Sequence, residues 1–297
     1  MMSSFGLGQF LALSAAVTWA IAVILLRRSG ETLPAFELNL FKNVLGLLLL
    51  LPTLAIIQGL SIPAYSVPDL LIALISGFLG IAVADTWYLR ALNLIGASRT
   101  GIVASLFSPF VILLSVLFLG EALGDWQLLG FGLVMSGVLL VSWRHGRTEV
   151  DTAQVRKGVL LAGGAVFMMA VGVVMVKEIL ETRPFLWTVL IRMVGGVGGM
   201  LLYVTARRNW SLVRSRLRMP QPWHWIVLGS FLGSYLSMML WLAGYKYIPA
   251  SQASILNETA SAWIVLFAWL ILRESIGFRR LLGLFLTFSG AIVMLLI

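Results

Sequence analysis

The sequence contains no cysteine, and only 11% of its 297 residues are charged. The first absence excludes disulfides, thiol chemistry and cysteine-ligated metals. The second argues against a water-soluble domain, which carries about 25% charged residues. Histidine is scarce: His145 and His224 are the only two. Neither lies in a metal-ligand cluster, and no HExxH or buried Ser–His–acid pattern accompanies them. An enzyme is therefore not expected, nor is a metal or any other cofactor. Zinc-finger spacings and a basic helix with a regular polar face are also missing. The formal charge of +9 thus gives no reason to expect nucleic acid. The N-terminus lacks the basic n-region of a cleaved signal peptide, so the apolar run from Phe5 to Leu26 reads as a permanent helix.

What the chain does have is apolar sequence: 60% of residues are hydrophobic, and the mean hydropathy is +0.99. About 20 apolar residues cross a hydrocarbon layer as a helix. Ten stretches qualify: 5–26, 34–57, 70–89, 98–118, 125–142, 157–177, 185–206, 223–243, 250–272 and 277–297. The expected fold class is an all-α polytopic membrane protein with ten transmembrane helices. Pro34 suits the start of the second, while Asp69 and Asp125 suit caps of the third and fifth. The breaks 143–156 and 207–222 are too short for separate soluble domains.

The sequence repeats itself. With a shift of 153, Phe78-Leu79-Gly80 matches Phe231-Leu232-Gly233, Ala97-Ser98 matches Ala250-Ser251, and Glu121 matches Glu274. With a shift of 150, Pro34, Lys42 and Gly46 match Pro184, Arg192 and Gly196. Two five-helix halves follow, residues 1–145 and 146–297. An odd number of spans makes the second half enter the membrane from the opposite side, giving an inverted 5+5 repeat. Many secondary transporters use this plan, because exchanging the conformations of the halves exchanges outward and inward access.

Sixteen of the 21 Lys and Arg residues fall on one side of this scheme. Only Lys177, Arg183 and Lys246 fall on the other, and Lys42 and Arg192 lie inside spans. The positive-inside rule makes the sixteen-charge side cytoplasmic and puts both termini outside.

Charges inside a bilayer mark pathways or pairs. Lys42 and Arg192 are two such charges; Asp85 and Glu258 are the others. The rise of about 1.5 Å per residue makes Lys42–Asp85 and Arg192–Glu258 compatible in depth. Lys42 and Arg192 are repeat partners, but Asp85 aligns with Met238 and Glu258 with Ser105, so the acids break the symmetry. Lys42 can receive a substrate carboxylate, lock to an acid or snorkel to the interface. Arg192 has the same choices and grips carboxylates well. Asp85 can serve as a proton site or pair with Lys42 or Arg90. Glu258 can carry a proton, recognise an amine or be neutralised by Arg192. Glu37 is expected to face headgroups.

Ser251, Ser254, Glu258 and Ser261 share one helical face, as do Ser98, Gly101, Ser105 and Ser108. Such stripes suit cavity walls or tight helix packing. Asn257 points away toward a neighbour. Trp19, Trp87, Tyr88, Tyr235 and Trp241 are candidate cavity aromatics. Pro109 is expected to bend the fourth helix, for gating or for structure. Gly195-Gly196-Val197-Gly198-Gly199 suits close helix approach. Glu121 and Glu274 suggest turns that cap the next helix.

The stretches Tyr88–Leu123 and Tyr245–Ile276 each combine an aromatic, small residues and a closing acid, and the first adds a mid-helix proline. They resemble the two copies of the EamA-type branch of the drug/metabolite transporter superfamily. Trp19 fits the tryptophan common in that family's first helix, with Ala20 in place of the usual glycine. The helix-nine proline expected opposite Pro109 is Ala262. The resemblance implies a secondary carrier with a cavity between its halves. By position that cavity involves Trp19, Asp85, Tyr88, Ser105, Tyr235, Trp241, Ser254 and Glu258. It also implies cytoplasmic termini, against the charge count.

The expected function is a transporter that moves a small polar metabolite, such as an amino acid or related compound. Export by alternating access, coupled to protons, is the first reading. An uncoupled facilitator or exchanger and a flippase for lipid-linked substrates are the alternatives. Its expected partners are a small-molecule substrate, membrane lipids and protons, and it is expected to work as a monomer or weak homodimer in a bacterial or archaeal cytoplasmic membrane.

Overall fold

Long apolar sequence folds as helix in a bilayer because every backbone N–H and C=O must find its partner internally. The computed structural model bears this out. It describes residues 4–27, 33–142, 152–272 and 277–296, with side chains left out at 4–5, 27, 96–99, 101–102, 142, 268, 271–272 and 280. The described residues form α1 Ser4–Arg27, α2 Ala35–Ile57, α3 Val67–Gly77, a π-helical segment Phe78–Ala84, α4 Asp85–Ala104, α5 Phe107–Phe118, α6 Asp125–Ser142 and α7 Thr152–Thr182. They continue with α8 Phe185–Ala206, α9 Trp210–Arg218, α10 Trp223–Ser230, a second π-helical segment Phe231–Ser237, α11 Met238–Tyr247, α12 Ala250–Glu258, α13 Ala260–Leu272 and α14 Phe278–Leu295.

Six helical stretches are long and apolar enough to cross a membrane: Gly6–Leu26, Ala35–Ile57, Val67–Ile95, Thr152–Thr182, Phe185–Ala206 and Trp223–Tyr247. Phe107–Phe118, Asp125–Val141 and Leu281–Leu295 are shorter apolar helices. Leu160, Leu202, Phe118 and Phe285 stand exposed on the outside, as lipid-facing residues should. The chain is an all-α integral membrane protein.

The irregularities recur at the repeat distance. The two π-helical segments, Phe78–Ala84 and Phe231–Ser237, begin at the matched Phe-Leu-Gly triplets. A helical break follows each. Leu106 N bonds back to Val103 O at 3.1 Å, and Thr259 N to Leu256 O at 3.2 Å. Pro109 sits in the first turn of α5, where its missing N–H costs nothing, so the bend falls just before it. The second break forms without a proline. There Thr259 Oγ1 bonds back to Leu256 O at 2.7 Å.

The α7 helix shows how the chain runs through α4. A Cβ placed on Gly158 would meet Ile95, one on Gly164 would meet Trp87, and one on Gly172 would approach Gly80. Toward α5 the order reverses. Gly163 lies by Val103, and the rings of Phe167 and Phe110 are 5.3 Å apart. A straight helix would carry Val103 roughly 12 Å beyond Ile95 at the usual rise. The chain therefore departs from a straight helix between them, although Asp85–Ala104 is helical throughout.

Several local expectations change. Ser66, rather than Asp69, caps α3, its side chain accepting from Asp69 N at 3.2 Å. The Asp69 carboxylate is held instead by Arg183, at 2.6 Å from Nη2. At α6 the side chain of Gln127 accepts from Gly124 N at 3.0 Å, while Asp125 is the first helical residue. Lys177 is buried inside α7 and paired with Glu181, because α7 runs on to Thr182. Glu37 does not face headgroups. It is buried and pairs with Arg216 of α9 at 2.6 Å, since α9 folds back over the start of α2. Arg28, Arg144, Arg147, Arg273 and Glu274 lie outside the described residues.

Candidate functional site

Four intramembrane charges were singled out, and the structure treats them differently. Lys42 on α2 and Asp85 at the start of α4 form an ion pair, Nζ to Oδ2 2.6 Å. The lysine lies beside a polar ladder. Asn39 Nδ2 donates to Ile81 O at 2.9 Å and to Thr86 Oγ1 at 3.1 Å, and Asn43 Nδ2 donates to Asn39 Oδ1 at 2.8 Å. Ile81 lies in the first π-helical segment, where the shifted register re-aims backbone carbonyls. Asn39 and Asn43 were missed from sequence. Two amides one turn apart around Lys42 in an apolar run are the signal that was available.

Arg192 and Glu258 do not pair. Among the described residues neither has a salt-bridge partner. Arg192, on α8, is 2% exposed, and its Nε and Nη1 are buried without a hydrogen bond. The guanidinium lies across the open face of Gly80, where an added Cβ would come 2.8 Å from Nη2. Its other face meets the Trp241 ring at 5.3 Å. Gly77 makes this possible, because it brings α3 against the backbone of Arg192 so closely that a Cβ would fall 1.7 Å from the carbonyl oxygen. Gly195 and Gly199 likewise pack on Leu74 and Phe78, the close approach expected of the glycine run.

Glu258, at the end of α12, turns the other way. Its Oε1 accepts from Ser108 N at 3.3 Å and Ser108 Oγ at 3.2 Å. Ser108 is in the first turn of α5, where free N–H groups and the helix dipole favour a carboxylate. The opposite cap exists too. Glu121, in the turn after α5, accepts from Ala250 N at 2.6 Å, Ser251 N at 2.9 Å and Ser251 Oγ at 2.6 Å. These groups belong to the first turn of α12. So the turn after α5 and the end of α12 each supply the carboxylate that caps the other helix. Glu121 caps α12, not the next helix that the sequence suggested.

The aromatic surround is mixed. Tyr88, on α4, is half-buried. The rings of Trp241 and Tyr245 meet edge to face at 5.3 Å, and Phe107 lies 6.4 Å beyond Trp241. Tyr245 was not anticipated, although it follows Trp241 by one helical turn. Tyr235 points elsewhere, its hydroxyl 2.6 Å from Thr53 Oγ1. Trp19 packs on Gly233, and Trp87 on Gly164. Ser105 is buried. Ser254 is buried and donates to Ser251 O at 2.7 Å. Ser261 is half-buried. Asn257 bonds to Ala253 O of its own helix at 2.8 Å. Ser98 falls among the side chains left out.

Arg192 and Glu258 are 2% and 9% exposed. Asp85 is more open, with its side chain 22% exposed. Two outer grooves, of about 470 and 510 Å³, lie elsewhere: one by Trp87, Arg156 and Lys157, the other by Leu45, Trp223 and Phe231.

The likeness to known proteins follows the same two-part pattern. The EamA-like transporter family matches residues 6–143 and again 156–296. An uncharacterized transporter of Archaeoglobus fulgidus is 24% identical over 287 residues, 96% of this chain and 97% of that protein. The pseudopaline exporter CntI of Pseudomonas aeruginosa is 32% identical over 137 residues, 45% of each chain. A crystal structure superposes with a TM-score of 0.77 at 16% identity, covering 96% of this chain and 95% of that one; it supports the fold alone. With both halves matched, the chain belongs to the EamA-like transporter family, and it is a small-molecule membrane transporter rather than an enzyme.

Proposed function

We propose that the protein is a secondary carrier of a small polar metabolite, an amino acid or related compound, moved outward by alternating access and coupled to protons. The reading takes the chain as ten spans in two inverted halves, 1–145 and 146–297, working as a monomer or weak homodimer with both termini outside. The recurrence of the π-helical segments and of the breaks after Ser105 and Glu258 supports two equivalent halves. The partial match to an exporter supports outward transport.

One observation carries the mechanism. Lys42 is neutralised by Asp85, whereas Arg192 and Glu258 are buried with no opposite charge bound to them. A buried, unneutralised charge is costly and marks a functional position in a membrane. Arg192 receives the substrate carboxylate. Glu258 receives an amine or a proton; when it does so, its bonds to Ser108 weaken, loosening α12 from α5. The Glu121 cap holds these two helices at the other end. Alternating access opens one cap while the other stays shut.

Purified protein in liposomes tests this. A pH gradient should drive uptake of at least one amino acid from a labelled mixture, and Glu258→Gln should keep exchange but lose the response to pH. Uptake indifferent to pH in both proteins would favour the uncoupled exchanger. C-terminal tag accessibility from the outside checks the orientation; protection of the tag would reverse it.

A further inference from the structure

We infer that Arg192 and Tyr245 together form a monocarboxylate-binding subsite walled by Trp241, in which Tyr245 sets the preference for an acid over its neutral analogue. This rests on the carrier reading above and adds to it the ligand class and a residue that the sequence did not point to.

The first support is a pair of unmet donors. Arg192 presents Nε and Nη1 with no acceptor, and Tyr245, fully buried, has a hydroxyl with no acceptor for its proton. Its polar neighbour is the Trp241 indole, itself a donor only. Buried polar groups in proteins are ordinarily satisfied, and each exception needs a reason. Here the unmet groups are all donors, so the missing partner is an acceptor.

The second support is placement. Tyr245 follows Trp241 by four residues on α11, so both rings project from one face. Arg192 lies over Trp241 at 5.3 Å, and the Tyr245 ring meets Trp241 edge to face at 5.3 Å. The guanidinium, from α8, and the phenol, from α11, thus both lie against the Trp241 ring. The π-helical segment supplies the floor, because Gly80 leaves the guanidinium room that any side chain would fill.

The third support is charge. Asp85 holds Lys42 at 2.6 Å, so of these two matched cations Arg192 is the one with no salt bridge among the described residues. A single positive charge with one neutral donor balances a single negative charge. A phosphate, with about two charges at neutral pH, would leave one uncompensated in a low-dielectric site. A carboxylate can accept from both a guanidinium and a hydroxyl.

The experiment uses the full-length protein in lipid nanodiscs, read by thermal stability and tryptophan fluorescence. The probes are individual L-amino acids, the amide of each acid that binds, and sodium chloride. At least one acid should raise the melting temperature by mass action, and its amide should not. Tyr245→Phe removes only an unpartnered hydroxyl, so its melting temperature without ligand should equal the parent's. It should bind the acid about tenfold more weakly, the worth of one hydrogen bond to a charged group. Arg192→Gln should abolish the shift.

Equal binding of acid and amide overturns the inference. So does a shift given by chloride alone, or undiminished acid binding by Tyr245→Phe. If no acid binds while liposomes transport a neutral or cationic solute, the subsite and the carboxylate role of Arg192 are wrong, and the reading as a carrier of a small polar metabolite stands. If nothing is transported at all, the carrier reading itself fails.

Discussion

Lys42 and Arg192 occupy matched positions in the two halves, yet they live differently. Lys42 lies beside a polar ladder of Asn39 and Asn43 and is bound to Asp85 at 2.6 Å. Arg192 lies among glycines and aromatic rings, and two of its nitrogens have no partner. The residues aligned with Asn39 and Asn43 around Arg192 are Val189 and Met193, so the second half has no ladder. One half has turned its cation into a strut. The other has left two nitrogens of its cation without a hydrogen bond among the described residues. A duplicated fold supplies the position, and the neighbours decide whether the charge is structural or functional.

Breaking the strut should have the largest effect on stability. Asp85→Asn leaves Lys42 buried without a counter-charge and should cost about 3–5 kcal/mol. Thermal unfolding in detergent measures it, and Lys42→Met combined with Asp85→Leu should recover most of the loss. Filling the floor under Arg192 comes next. Gly80→Ala puts a methyl group 2.8 Å from Nη2 and should destabilise by about 1–3 kcal/mol through overpacking. Arg192→Met should relieve that strain, a coupling that a double-mutant cycle would detect. Glu121→Gln should be milder, about 1 kcal/mol for a weakened cap. It should raise cysteine-labelling rates at the α12 start if a reporter cysteine is introduced there. Unchanged labelling would remove the cap from gating. Smallest of all, Arg192→Met alone should leave stability within about 1 kcal/mol of the parent, because it removes an unpaired buried charge. A large loss would mean that Arg192 is a strut as well.

Much of the architecture was legible from apolar run length and from the repeat, since the bilayer fixes both the length of a span and its conformation. The matched Phe-Leu-Gly triplets and small-residue stripes marked the places where the helices are irregular. What those residues do there was not legible. Depth along a helix is a one-dimensional quantity; it made Arg192–Glu258 as good a pair as Lys42–Asp85. Rotation about the axis separates the two cases. Arg192 points at Gly80, and Glu258 points at the first turn of α5. The reciprocal caps were hidden for a related reason. Glu121 and Ser251 are 130 residues apart, and no local pattern joins them. Tyr245 was passed over because aromatics near span ends are common anchors, and only its burial without a hydrogen-bond acceptor sets it apart.

The central claim is that the two cations have divided the labour, one for structure and one for substrate. The direct test is uptake of a labelled amino-acid mixture into liposomes by three proteins: the parent, Arg192→Met, and Lys42→Met/Asp85→Leu. The account predicts transport by the parent and by the double variant, and loss of transport by Arg192→Met despite normal folding. Transport retained by Arg192→Met and lost in the double variant would contradict it.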